Sequence, residues 1–219
     1  MLLNGYILNE RSFTMPKKTV ETAQNTHELI IQAAYELFLE HGYHGTSMRQ
    51  IAQRAGLVVG GIYNHFQGKE AVYQAVLMAH HPFNTSFPEL ANARGETAEE
   101  YLQDAARRLV SLLGSERKFL RLMFIEVVEF DNRHLAAIIE KRLPQLQQFV
   151  QGLYTRRDSL RAFPPVVILR SFLGLFFSYF ITEIMITPYL PKEFAADVFD
   201  SFIDIYLRGI LAARPVQAE

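Results

Sequence analysis

Residues 46–70 read TSMRQIAQRAGLVVGGIYNHFQGKE, the pattern of two short helices around a tight turn with a further helix beginning at Lys69. Thr46 is of the residue type that caps a helix N-terminus, and Met48, Ile51, Ala52 and Ala55 follow as one apolar stripe at helical spacing. Gly56 supplies the left-handed conformation that ends the first helix. Leu57, Ile62 and Phe66 are spaced to pack the next short segment back onto it. Two helices crossing steeply over a glycine-containing turn form a helix-turn-helix, whose second helix enters the DNA major groove.

The run AGLVVGGIYNHFQGKE, Ala55 to Glu70, together with TSMRQIA just upstream, closely resembles the DNA-binding domain of the TetR family of bacterial transcriptional repressors. The resemblance covers residues 25–78, and Tyr-x-His-Phe-x-x-Lys-Glu at fixed spacing makes it specific. It implies that Thr46, Tyr63, His65 and Lys69 grip phosphates, a reading favoured over the alternative that Tyr63 and His65 simply pack the domain. The segment departs from the family pattern at position 58, commonly a capping Ser or Thr, where this chain has Val58. Gly60 and Gly61 then lie side by side in the third helix, each costing about 1 kcal/mol relative to Ala. Val58 and Val59 offer only methyl-type contacts, and Gly60 and Gly61 permit close backbone approach. Base reading would therefore lean on Asn64, Arg49 and DNA shape, with Ser47 a further DNA-binding candidate.

Working outward, 219 residues accommodate a domain of about fifty residues and one larger domain. The organisation expected is a flexible arm over 1–20, a helix-turn-helix domain over 21–70 and a ligand-binding and dimerisation domain over 71–219. The formal net charge of −1 gives no global attraction to phosphate, so any such attraction is weak or local. Without cysteine there are no disulfides, thiolate metal sites or thiol switches, which fits a reducing cytoplasm. MLLNGYILNERSFT lacks a cationic start and is a poor signal peptide; Met15-Pro16-Lys17-Lys18 reads as the more natural beginning.

The remainder reads as all-α. A first helix over 25–41 carries Leu29, Ile30, Ala33, Ala34, Leu37 and Phe38 inward, and a fourth begins at Lys69. Residues 82–95, PFNTSFPELANARG, read as a loop because of their two prolines. Further helices follow over 96–114, 116–130, 131–156 (with Pro144 expected to kink it), 165–187 and 192–212. Arg170 and Glu183 interrupt the very apolar 165–187 segment, leaving a run too short for the ~20 residues of a membrane span. A core helix of a bundle fits it better. Its Ser171, Gly174, Ser178 and Thr182 fall on one face, a small-residue strip that admits another helix closely. The last helix presents Phe199, Phe202 and Tyr206 within a broad apolar face. The resemblance implies that these two helices meet their copies in a four-helix homodimer interface.

It also implies a small-molecule cavity in the C-terminal domain, whose occupancy separates the DNA-binding domains. The candidate lining is Phe172, Phe176, Tyr179 and Glu183 with Met123 and Phe124, suited to a flat apolar or cationic effector. The alternative is an aromatic core stripe with Glu183 in a salt bridge. No phosphate loop, nucleophile elbow or His-Glu-x-x-His occurs, so no catalytic residue, cofactor or metal is expected. His80 and His81 with Glu99 or His134 are a remote metal-site candidate; Glu126 and Glu129, three apart, admit a general acid/base pair, and a solvated helix face explains them at least as well. The function expected is a DNA-binding regulator, most simply a repressor of a palindromic double-stranded operator. A helical protein-interaction adaptor is the other reading.

Overall fold

A computed structural model describes residues 17–113, 118–191 and 198–211. Among them the chain forms ten α-helices and no strand, with one isolated antiparallel bridge between Leu160 and Leu211. It divides into two compact units with the boundary after Val76, inside α4 (Lys69–His80), rather than at Glu70.

The first unit is built on α1 (Lys17–His41), α2 (Met48–Arg54), α3 (Val59–Ile62) and the start of α4. Helix α1 takes in residues 17–20 that the sequence assigns to an arm; residues 1–16 of that arm lie outside those described. Ile30, Ala34, Phe38, Ile51, Ala52, Ile62, Val72 and Tyr73 are almost wholly buried and form its core. Leu29, at the edge of the α1 stripe, is instead half exposed. Gly42 and Gly56 both sit at φ 72°, ending α1 and α2 in the conformation that glycine adopts without strain.

The second unit contains the end of α4, α5 (Phe83–Ala91), α6 (Ala98–Leu113), α7 (Phe119–Phe130), α8 (Leu135–Tyr154), α9 (Pro165–Met185) and α10 (Phe199–Ile210). The predicted loop at 82–95 is in large part α5. Phe83, Phe87 and Leu90 recur at helical spacing, and their burial against the unit's core outweighs the proline inside the helix. Asp131 and Asn132, both with positive φ, separate α7 from α8, so the helix expected from 131 begins at Leu135. The chain stays helical through Pro144. Helix α9 opens with proline at its first position, where the missing N–H costs no helix bond. It is long and apolar enough to cross a membrane by composition, yet Ile168, Phe172, Phe176 and Phe180 are buried in this unit's core. Of the last predicted helix, residues 192–197 and 212 lie outside those described.

Candidate nucleic-acid interface and ligand cavity

The cap of α2 is Ser47, not Thr46. Ser47 Oγ accepts the Gln50 N–H at 3.3 Å, while Gln50 Oε1 accepts the Ser47 N–H at 2.8 Å, a reciprocal capping box. Thr46 is buried, and its hydroxyl proton is shared between the carbonyls of Gly42 at 2.9 Å and Leu37 at 3.1 Å. The Lys69 ammonium donates to the carbonyls of Tyr43 at 2.7 Å and Thr46 at 2.8 Å, and lies 4.2 Å from the Tyr43 ring centroid. Thr46 and Lys69, two of the four side chains offered as phosphate contacts, therefore bond within the fold.

Arg54 is committed as well: its two terminal nitrogens meet both Glu40 oxygens at 2.8 Å. This bond holds the Glu40 carboxyl below its usual range and the Arg54 guanidinium above its own. Arg49 is exposed, with no carboxylate in ion-pair reach among the described residues.

Helix α3 is a single turn whose N-cap, Val58, makes no side-chain bond, as expected for valine there. Val58 is 79% exposed and Val59 42%. Gly60 has open space where a side chain would be, and Gly61 only Val58 Cγ2 at 3.6 Å. Neither glycine is therefore needed for packing or for a positive φ. Tyr63 and Asn64 are exposed beside them. His65 is half-buried with its ring 6.5 Å from that of His27, which in turn stacks on Phe66 at 4.6 Å. Val58, Val59, Gly60, Tyr63 and Asn64 are thus all exposed on or beside α3, and Ser47 and Arg49 are exposed at the start of α2.

Within the second unit lies a cavity of about 320 Å³. Phe83 and Phe87 of α5, stacked at 4.4 Å, make one wall; Leu120 and Met123 of α7 and Phe176 and Phe180 of α9 make others. The Ser86 side chain is the one polar group among the lining residues. Beside this wall His81 is buried, its Nδ1 accepting the Phe83 N–H at 3.1 Å, and burial pushes its pKa down to about 4.

The family model for bacterial regulatory proteins of the tetR family matches residues 30–76, the whole of α2 and α3 included. TtgW of Pseudomonas putida, named an uncharacterized helix-turn-helix-type transcriptional regulator, is 32% identical over 133 residues, 60% of this chain and 92% of its own. The chain belongs to the TetR family. SrpR of Pseudomonas putida, a helix-turn-helix-type transcriptional regulator, is 31% identical over 143 residues, which span 64% of this chain and 63% of SrpR. The crystal structure of NalD, the secondary repressor of the MexAB-OprM multidrug efflux pump in Pseudomonas aeruginosa, superposes with a TM-score of 0.62. That match has 24% identity and covers 89% of this chain and 100% of NalD, a likeness of fold.

In this TetR chain the residues predicted to line a ligand site separate. Met123 and Phe176 line the cavity. Phe172 is fully buried between the rings of Phe149 at 5.7 Å and Phe176 at 5.1 Å. Tyr179 packs on Phe199 at 5.0 Å and Phe180 at 5.2 Å. Phe124 is 47% exposed, and Glu183 accepts the Thr187 hydroxyl at 3.0 Å. None of these four lines the cavity. Sequence reasoning missed Phe83, Ser86 and Phe87 because Pro82 and Pro88 made α5 read as a loop. The i, i+4, i+7 spacing of Phe83, Phe87 and Leu90 was the available signal.

A shallow groove of about 400 Å³ runs between α9 and α10, lined by Ser171, Gly174, Leu175, Ser178, Phe202, Ile205 and Tyr206. Gly174, Ser178, Phe202 and Tyr206 of the predicted interface meet there. Thr182 turns its hydroxyl back to the carbonyls of Ser178 and Tyr179, both at 2.9 Å. Phe199 is buried in the core and unavailable to a second copy. Glu126, expected on a solvated face, is also buried: its carboxylate accepts the His134 N–H at 2.9 Å and lies 3.1 Å from Nδ1 of that ring. No group of three metal-ligating side chains occurs among the described residues.

Proposed function

We propose that this chain is a DNA-binding transcriptional repressor. It acts as a cytoplasmic homodimer on a near-palindromic double-stranded operator and is released when a small molecule occupies the cavity. The observation that carries the reading is α3 itself. A helix packed only for stability would bury its apolar residues and avoid paired glycines, whereas Val58 and Val59 point outward and Gly60 has nothing against it. Such a surface suits the floor of a major groove, where methyl groups and bare backbone approach base edges. The family membership and the repressor role of NalD support it.

The effector we propose is neutral and apolar. The cavity offers aromatic faces and one hydroxyl, and Glu183, which would have favoured a cation, does not reach it. Release by a hundredfold requires the effector to bind the DNA-incompetent arrangement about 2.7 kcal/mol better than the competent one. The homodimer would form across the α9–α10 groove, placing two α3 helices for successive major grooves.

A gel shift of the purified protein on DNA flanking its own gene, at two salt concentrations, tests the reading. A discrete, salt-sensitive complex of a dimer is expected. A folded dimer that binds no flanking promoter would instead point to the protein-interaction adaptor.

A further inference from the structure

We infer that Lys69 is a positioning residue of the DNA-binding surface rather than one of its phosphate contacts; the inference rests on the DNA-binding reading above. A cation at the first position of α4 faces the positive end of the helix dipole and gains nothing from that helix. What holds it there is the turn between α1 and α2: two carbonyls, of Tyr43 and Thr46, and the face of the Tyr43 ring. A protonated amine has three donors, and two are used at 2.7 and 2.8 Å. Drawing Lys69 out to a phosphate would leave two carbonyls of a half-buried turn without these donors.

The same turn is fixed from its other side. The Thr46 hydroxyl reaches the carbonyls of Leu37 and Gly42. Gly45 lies so close to the His41 carbonyl that a side chain there would collide with it. Ser47, the next residue after Thr46, then caps α2. Lys69 therefore sets where α2 begins, and with it the positions of Ser47 and Arg49. Its charge acts inside the protein and its effect on DNA is indirect.

Counterion release separates the two roles. A lysine that neutralises phosphate contributes about 0.9 to the slope of log affinity against log salt, once per protomer. A lysine that positions the turn lowers affinity at every salt concentration and leaves the slope alone. The experiment compares Lys69→Met, Thr46→Val and Arg49→Gln with the unaltered protein, by DNA titration at four salt concentrations and by amide hydrogen exchange of the free protein. We expect Lys69→Met and Thr46→Val to behave alike. Exchange across residues 42–50 quickens at least tenfold, and affinity falls at least tenfold with an unchanged slope. Arg49→Gln should lower the slope with exchange unaltered. A lowered slope for Lys69→Met with normal exchange overturns the inference. Exchange is read without DNA, so a protein that binds no DNA would refute the regulator reading while the turn is still tested. Should Lys69→Met fail to fold, Thr46→Val, which changes no charge, carries the comparison: normal exchange and normal affinity in it overturn the inference.

Discussion

Arg54 and Glu40 face each other as a fork on a fork, two nitrogens on two oxygens at 2.8 Å, tying α2 to α1. With Lys69 also spent internally, the proposed DNA surface is poor in mobile cations. Arg49→Gln should therefore weaken operator binding and reduce the salt slope by about 1 per protomer, while Arg54→Gln leaves the slope unchanged. Titrations over a range of salt would show it; equal slope losses from the two variants would mean that Arg54 leaves Glu40 for phosphate on binding.

Gly60 marks where DNA would approach most closely. Alanine there meets nothing within 4 Å beyond its chain neighbours and its own helix backbone, and improves helix propensity by about 1 kcal/mol. Thermal stability should be unchanged or slightly raised in Gly60→Ala, while operator affinity falls at least tenfold. Undiminished affinity would remove the close approach from the account.

The cavity makes a prediction that needs no knowledge of the natural effector. N-phenyl-1-naphthylamine, a neutral apolar dye, should fluoresce on binding. Met123→Trp, which fills the space between α7 and the aromatic wall, should abolish the signal while DNA binding persists. Phe124→Ala, one residue on but half-exposed and outside the cavity lining, should leave it intact. Equal losses in both variants would place the dye elsewhere.

Ile205 is 71% exposed in the α9–α10 groove, so a charge there costs the isolated chain little. Ile205→Glu should sediment as a folded monomer and lose cooperative operator binding. A dimer of unchanged strength would exclude this groove as the interface.

His81 should make the second unit acid-sensitive. Burial lowers its pKa from 6.5 to about 4, so the folded state binds its proton less readily than the unfolded state does. The associated stability is fully present above about pH 6.5 and is lost as pH falls toward 4, roughly 3 kcal/mol in all. His81→Asn keeps an acceptor for the Phe83 N–H and should remove that part of the pH dependence in urea unfolding between pH 7 and 4.5. Parallel curves for the two proteins would show that other groups dominate.

The helix-turn-helix was legible because its signals are local: a capping residue, a glycine stop and apolar spacing within one short segment. The identity of the cap was not, since Thr46 and Ser47 are both capable, and only the burial of Thr46 under α1 assigns the role to Ser47. The internal bonds of Lys69 were hidden for a related reason. Its partners are carbonyls of residues 43 and 46, and a carbonyl's direction depends on how the chain turns rather than on which residue bears it. In the second unit, periodicity identified α9 but gave no orientation to its aromatic residues. Phe172, Phe176 and Tyr179 share one buried face, yet only Phe176 borders open space, because that depends on how α5 and α7 pack across from it. Proline content concealed α5 itself.

A wall of stacked phenylalanines with a single hydroxyl has a bearing on selectivity. Discrimination between guests rests on volume and contour, and one methylene in such a pocket is worth only ~1–3 kcal/mol. Among the described residues that line it, no polar side chain but that of Ser86 stands ready to reject an ill-matched molecule. If the proposed effector binds here, a sensor built this way would respond to a physical property, greasiness within a size limit, and so would answer to a range of compounds rather than to one metabolite.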